Sequence, residues 1–231
     1  MNSVLYGRDN QAIPLLLDLH CDIQNPKILD VTHNQGVMWK GIAERYNLTT
    51  MDINPEFHTN LLGDFTAIPC EDSSFDVIVF DPPHLPAAAV GKNGNIYGDK
   101  YGITLDVTLR ADNIDGYFLP FLLEARRVLR PNGIILAKIA DITHNHRYQW
   151  QHVLFINAVN ATGMTPCDCL IKTDPSAGHL VSGQWEKQHH LRKAHCYWIV
   201  VRNSSKCEGM GRIRKNPEKE DSMQFSLWVS E

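Results

Sequence analysis

The sequence predicts an α/β fold, a mainly parallel sheet with helices on both faces. Three observations carry this. Short β-branched runs alternate with stretches of helical spacing along most of the 231 residues. One run, Val77-Ile78-Val79-Phe80, is apolar at every position, the composition of a strand covered on both faces. Several runs end in an aspartate at a turn, as at Asp52, Asp64 and Asp81.

The elements follow in order. Ile28-Leu29-Asp30-Val31 is the first strand-like run, and a turn leads from it into a helical stretch over 36–46. Thr49-Thr50-Met51-Asp52 is the second strand, closed by Asn54-Pro55, and Leu61-Leu62-Gly63-Asp64 is a short third. Residues 75–80 make the fourth. Residues 117–129 form a helix, because Phe118, Phe121, Leu122, Ala125, Val128 and Leu129 fall on one face. Pro131-Asn132-Gly133 terminates it. A fifth strand covers 133–139, a helix 148–162, a further strand 167–171 and a last strand 195–201. The segment 85–115 is polar and Gly-rich, and a loop of this length inside a compact domain is usually functional or disordered. Because it begins at the end of the fourth strand, it reads as a lid over a substrate, with Lys92, Tyr97, Lys100 and Tyr101 as candidate contacts.

Composition is that of one soluble α/β domain, here residues 1–202, followed by a linker-like tail over 203–231. The N-terminus carries no apolar signal core. The longest apolar run, Ile13-Pro14-Leu15-Leu16-Leu17, stops at Asp18, far short of a membrane span. Six cysteines without a signal peptide read as free thiols. These features predict a cytoplasmic protein with no membrane partner. Cys167, Cys169, His179, His189, His190, His195 and Cys196 show no zinc-finger spacing, so no metal is expected. The net charge is −4, yet residues 185–215 hold eight Lys and Arg against two Glu, while the rest of the chain holds 14 basic and 24 acidic residues. Such a local basic stripe can supply phosphate contacts, with Arg192 and Lys193 as candidates.

The chemistry concentrates after the fourth strand. Pro82 and Pro83 cannot donate to a sheet ladder, so the strand ends there. Each proline also keeps the preceding residue extended, which fixes Asp81 and Pro82. A carboxylate and a carbonyl, both acceptors, are thereby held at the carboxyl end of a strand, beside the ring of His84. Ligands bind at that end of open α/β sheets. Two acceptors and a flat ring suit a planar group with an exocyclic amine.

Asp81-Pro82-Pro83-His84 resembles the catalytic Asp-Pro-Pro-aromatic motif of S-adenosylmethionine-dependent methyltransferases that act on exocyclic amines. These include the DNA N6-adenine and N4-cytosine enzymes, in compact form the phage or orphan type, and their RNA relatives. His84 stands where Tyr, Phe or Trp is usual. The resemblance covers about residues 28–201 and implies the Rossmann-like class I methyltransferase fold, with seven strands and an antiparallel last one. It implies S-adenosylmethionine as cofactor, held first at the turn containing Asp30, Thr32, Asn34 and Gly36. The second glycine of the family turn is present as Gly36, and the first is replaced by Asn34, a residue that tolerates positive φ. Asp52, with Ile53, would hold the ribose hydroxyls; Asp64 would accept from the adenine amine, and Phe65 would pack on its ring. The implied substrate is a nucleic-acid base, adenine N6 in DNA being favoured. N4-cytosine in DNA, N6-adenine in RNA and a degenerate binding subunit remain open, as do the recognition sequence, any partner subunit and the oligomeric state. Pro69-Cys70 imitates the nucleophile of cytosine C5 enzymes but precedes the fourth strand instead of following it, so it reads as a structural thiol.

Overall fold

The computed structural model describes residues 2–84, 116–144, 147–173 and 194–204. Its elements are β1 (Val4–Tyr6), α1 (Asp9–His20), β2 (Lys27–Asp30), β3 (Asn47–Asp52), β4 (Leu61–Leu62), β5 (Phe75–Phe80), α2 (Phe118–Val128), β6 (Leu129–Ile139), β7 (Ile142–His144), β8 (Arg147–Gln149), α3 (Gln151–Ala161), β9 (Thr165–Thr173) and β10 (His195–Arg202). Eight strands form one sheet in the order β1-β9-β10-β6-β5-β2-β3-β4, and β7 and β8 form a separate hairpin. Strands β2 to β6 pair in parallel, whereas β10 runs antiparallel to both β6 and β9. The expected sheet with its antiparallel last strand is present, and β1 adds an eighth strand by pairing in parallel with β9.

Burial follows the alternation of side chains along the central strands. Ile78 and Phe80 of β5, with Ile135 and Ala137 of β6, pack against Phe121, Leu122 and Ala125 of α2 and Phe155 of α3. Val77 and Val79, with Ile134 and Leu136, face the opposite way, against Ala12, Ile13 and Leu16 of α1 and Trp39. All six positions of β5 are buried. The helix expected over 117–129 is α2, and Phe118, Phe121, Leu122, Ala125 and Val128 are its buried stripe.

Several expectations are corrected. The stretch 36–46 is not one helix but two single 3₁₀ turns, Val37–Trp39 and Ala43–Arg45. Lys40 leaves the helical region with ψ +116° and Gly41 has φ +78°, so no helix continues from one turn to the other. The start of the helix expected at 148 belongs to the β7–β8 hairpin, and α3 begins at Gln151. The helix before Pro131 ends at Val128, and Pro131, Asn132 and Gly133 lie inside β6, whose register against β5 shifts between Phe75 and Val77. The N-terminal β1–α1 unit is additional to the expected elements. Its buried Ala12, Ile13, Leu16 and Leu17 nevertheless have helical spacing, and Pro14 is accommodated within α1. Cys21, Cys70, Cys169 and Cys196 are free thiols, but Cys167 is disulfide-bonded; cysteine spacing alone carries no pairing information. No helix among the described residues is long and apolar enough to cross a membrane.

Candidate active site

Chain order reverses in the sheet beside β2: β3 lies on one side of it and β5 on the other. The loops after β2 and β5 therefore leave the same sheet edge side by side, at a topological switch point. Three hydrogen bonds stitch this corner together. Asp81 N–H donates to Thr32 Oγ1 (2.8 Å), His33 N–H to the Met51 carbonyl (3.1 Å) and Asn34 N–H to Asp52 Oδ2 (2.8 Å). A pocket of about 430 Å³ opens here, in the range of small-molecule sites.

One half of the pocket belongs to β2, β3 and β4. Asp30 is fully buried, and its carboxylate accepts from Thr32 N–H (3.1 Å), His33 Nδ1–H (2.9 Å) and Trp39 Nε1–H (2.7 Å). It shapes the turn from behind and is not part of the pocket lining, unlike Thr32, His33 and Asn34. Asn34 has φ +51° and Gly36 φ +66°, so the asparagine adopts the left-handed backbone. Asn34 Oδ1 is buried with no hydrogen-bond partner among the described residues, which suits a ligand that brings a donor. Asp52 accepts from Asn34 N–H and Asn54 N–H (2.9 Å) and lines the pocket beside Ile53. Burial pushes its carboxyl above the ordinary value, aided by the charge of Asp30 and opposed by the backbone donors. Asp64 turns one oxygen back to Thr66, and Phe65 packs edge-on against Phe80 (5.3 Å) and Tyr117 (6.0 Å), forming an apolar wall. A carboxylate, an orphaned amide oxygen and an aromatic wall fit a nucleoside that also carries a polar tail.

The other half is the end of β5. Asp81, Pro82, Pro83 and His84 all line the pocket. Asp81 Oδ2 accepts from Lys138 Nζ at 2.9 Å, and its Oδ1 lies 3.2 Å from His84 Nε2. His84 Nδ1 accepts from the Ala140 N–H (3.4 Å), so Nε2 carries the proton and donates to Asp81. Lys138 also reaches Asp9 Oδ2 (3.1 Å), and Asp9 Oδ1 meets Lys172 Nζ (3.2 Å) and Trp198 Nε1 (3.3 Å). Burial pushes the Asp81 carboxyl up, but the Lys138 charge and the contacts of His84 and Lys138 outweigh it and hold the group below its ordinary value. Burial lowers the Lys138 ammonium; the Asp81 and Asp9 charges overcome this and raise it.

The fold thus brings Thr32, Asn34, Asp52, Ile53, Asp64, Phe65 and the Asp81–His84 segment onto one pocket and leaves Asp30 and Gly36 off its lining. Lys92, Tyr97, Lys100, Tyr101, Arg192 and Lys193, and nearly all of the tail over 203–231, lie outside the described residues. Among the described residues no three His, Cys, Asp or Glu side chains gather as a metal site. Sequence reasoning missed Lys138 and Asp9. Lys138 is a cation at the end of an otherwise apolar run, Ile134-Ile135-Leu136-Ala137, and that isolation was the available signal.

The sequence matches no protein-family model and no curated protein. Solved structures are similar in fold. A S-adenosylmethionine-dependent methyltransferase of Methanosarcina mazei aligns with TM-score 0.51 at 12% identity, over 84% of this chain and 98% of its own. A protein of Galdieria sulphuraria assigned as a sarcosine dimethylglycine methyltransferase aligns with TM-score 0.50 at 13% identity, over 85% of this chain and 84% of its own. The [4+2]-cyclase SpnF aligns with TM-score 0.51 at 11% identity, over 85% and 81%, so one fold serves different reactions. By architecture, this chain has the Rossmann-like fold of class I S-adenosylmethionine-dependent methyltransferases.

Proposed function

We propose that this protein binds S-adenosylmethionine and transfers its methyl group to the exocyclic amine of a nucleobase, adenine N6 in DNA. One observation carries the reading: Asp81-Pro82-Pro83-His84 lines the same pocket as Asn34, Asp52 and Asp64, from the opposite side of the switch point. The cofactor would be held by Asp52 at its ribose, Asn34 at its amino-acid end, and Asp64 and Phe65 around its adenine. It supplies an electrophilic methyl on a sulfonium.

The nitrogen lone pair of a nucleobase amine is delocalised into the ring, so the amine is a poor nucleophile. Asp81 and the Pro82 carbonyl are acceptors for its two N–H groups and favour the pyramidal nitrogen. Lys138 and His84 each occupy one lone pair of the Asp81 carboxylate, fixing its plane while leaving acceptor capacity on both oxygens. Lys138 keeps the group anionic, which stabilises positive charge developing on the nitrogen. The nitrogen then loses a proton, for which Asp81 is the nearest base of the site. Positioning supplies most of the rate. A base within a duplex must be flipped out to reach this pocket.

Mass spectrometry of nucleosides after incubation with methyl-labelled cofactor and separate DNA and RNA pools tests the proposal. Labelled N6-methyladenine in DNA is expected. Label confined to RNA, or to N4 of cytosine, would replace the substrate and keep the chemistry. Asp81→Ala should bind S-adenosylhomocysteine with nearly unchanged heat and transfer no methyl; full activity in that variant would sink the mechanism. A wild-type protein giving no binding heat would instead mark a scaffold that has lost the cofactor site.

A further inference from the structure

Beyond the pocket, rings gather around the start of α3. Tyr148 and Trp150 lie 4.5 Å apart, Trp150 and His152 6.0 Å, and His152 stacks on Tyr197 at 4.1 Å with 22° between planes. Asp141 organises them. It is almost wholly buried and accepts from Tyr148 OH (2.7 Å), His152 Nδ1–H (2.7 Å) and His152 N–H (3.2 Å). Trp150 is 57% exposed, although indole is among the costliest groups to leave in water. The cluster adjoins the catalytic corner: Asp141 directly follows Ala140, whose N–H holds His84.

We propose that Trp150, backed by Tyr148, His152 and Tyr197, is a stacking platform for a nucleotide flanking the target base. This rests on the nucleic-acid reading above. Three features point to a base as the occupant. The platform is linked to the site where the target base would lie through His84, Ala140 and Asp141, which puts it within reach of a nucleotide next to that base. The rings of Tyr148 and His152 beside Trp150 are held by Asp141 before binding, and a flat π-face accepts any base without hydrogen-bond readout. Arg147, exposed on β8, offers a cation for the accompanying phosphate.

The test is fluorescence anisotropy of a labelled single-stranded DNA decamer, without cofactor. Trp150→Ala should weaken binding about tenfold, the loss of one stacked base, and Trp150→Phe should recover most of it. A thermal melt confirms that each variant is folded. A decamer with abasic positions beside the target base should bind wild type about tenfold more weakly, yet cost Trp150→Ala almost nothing further. Equal binding by wild type and Trp150→Ala would overturn the platform, as would an abasic penalty of the same size in both or a wild-type protein that does not bind the decamer. The two readings fail separately. Methyl transfer to DNA with Trp150 uncoupled removes the platform alone; coupling to Trp150 without methylation of any nucleic acid removes the proposed chemistry and leaves the platform.

Discussion

Half-buried Asp81 and buried Asp52 line one pocket, and their environments push them in opposite directions. Asp81 is depressed, so the stability of its ion pair is present above the ordinary carboxylate range and is lost only as pH falls through the lower, folded value. Removing Lys138 leaves burial as the main influence, which raises the group. Lys138→Met is therefore expected to show an acid limb in single-turnover methyl transfer at higher pH than wild type, with activity recovering as pH rises. Superimposable pH–rate profiles would make Lys138 a spectator. Asp52 is raised, so it favours folding most below about pH 4 and weakens it as pH rises through the folded value. In the proposed cofactor site, ribose hydroxyls would donate to the ionised form. Calorimetry with S-adenosylhomocysteine should therefore show affinity falling as pH drops through the Asp52 titration. Asp52→Asn should bind more weakly and lose this pH dependence; an unchanged slope would assign it to another group.

The turn after β2 shows which local structure can be read from residue types. That Asn34 could take positive φ was legible, because its short amide side chain tolerates the left-handed region, and its φ is +51°. That Gly36 is also confined by a neighbour was not: a Cβ there would lie 2.8 Å from His33 Nε2, in a backbone at φ +66°. Gly36→Ala should lower stability by about 1–3 kcal/mol, from the left-handed penalty and the displaced imidazole. Asn34→Gly relieves the same kind of strain and removes a buried oxygen unpaired among the described residues, so it should be neutral or slightly stabilising without ligand while weakening S-adenosylhomocysteine binding. Urea unfolding of both variants, with unchanged m-values, would check the signs. Strands β2, β3, β5 and β10 and the stripe of α2 were legible because each carries its period within itself. The 3₁₀ turns over 37–45 were not, since apolar spacing does not report a left-handed glycine within the run. The β7–β8 hairpin was hidden because its residues, Ile142-Thr143-His144 and Arg147-Tyr148-Gln149, are too few to show an alternation.

Across the whole molecule, the half of the site carried by strand ends was legible, and the half made by long-range ion pairs was not. Lys138 is 57 residues from Asp81 and 129 from Asp9, and no sequence period links such positions. Asp9 joins three parts of the fold. It begins α1 beside β1, and it bonds Lys138 of β6, Lys172 of β9 and Trp198 of β10. The added N-terminal unit is therefore tied to the sheet by charge as well as by Ala12, Ile13 and Leu16, and it reaches the Asp81 carboxylate through one lysine. Asp9→Asn keeps the shape and removes the charge. Lys172 loses the counterion it has among the described groups, while Lys138 keeps Asp81. With Asp9, Lys138 and Lys172 all largely shielded from water, the loss should be about 1.5–3 kcal/mol, the value of charge-assisted hydrogen bonds. It should appear as a lower urea midpoint with unchanged m-value. Lys138, released from Asp9, should then pair more closely with Asp81, so methyl transfer should persist and its acid limb should not move to higher pH. A stable Asp9→Asn protein whose acid limb does move up would show that Asp9 fixes Lys138 in place for Asp81, making it a positioning residue of the site instead of a tie between the N-terminal unit and the sheet.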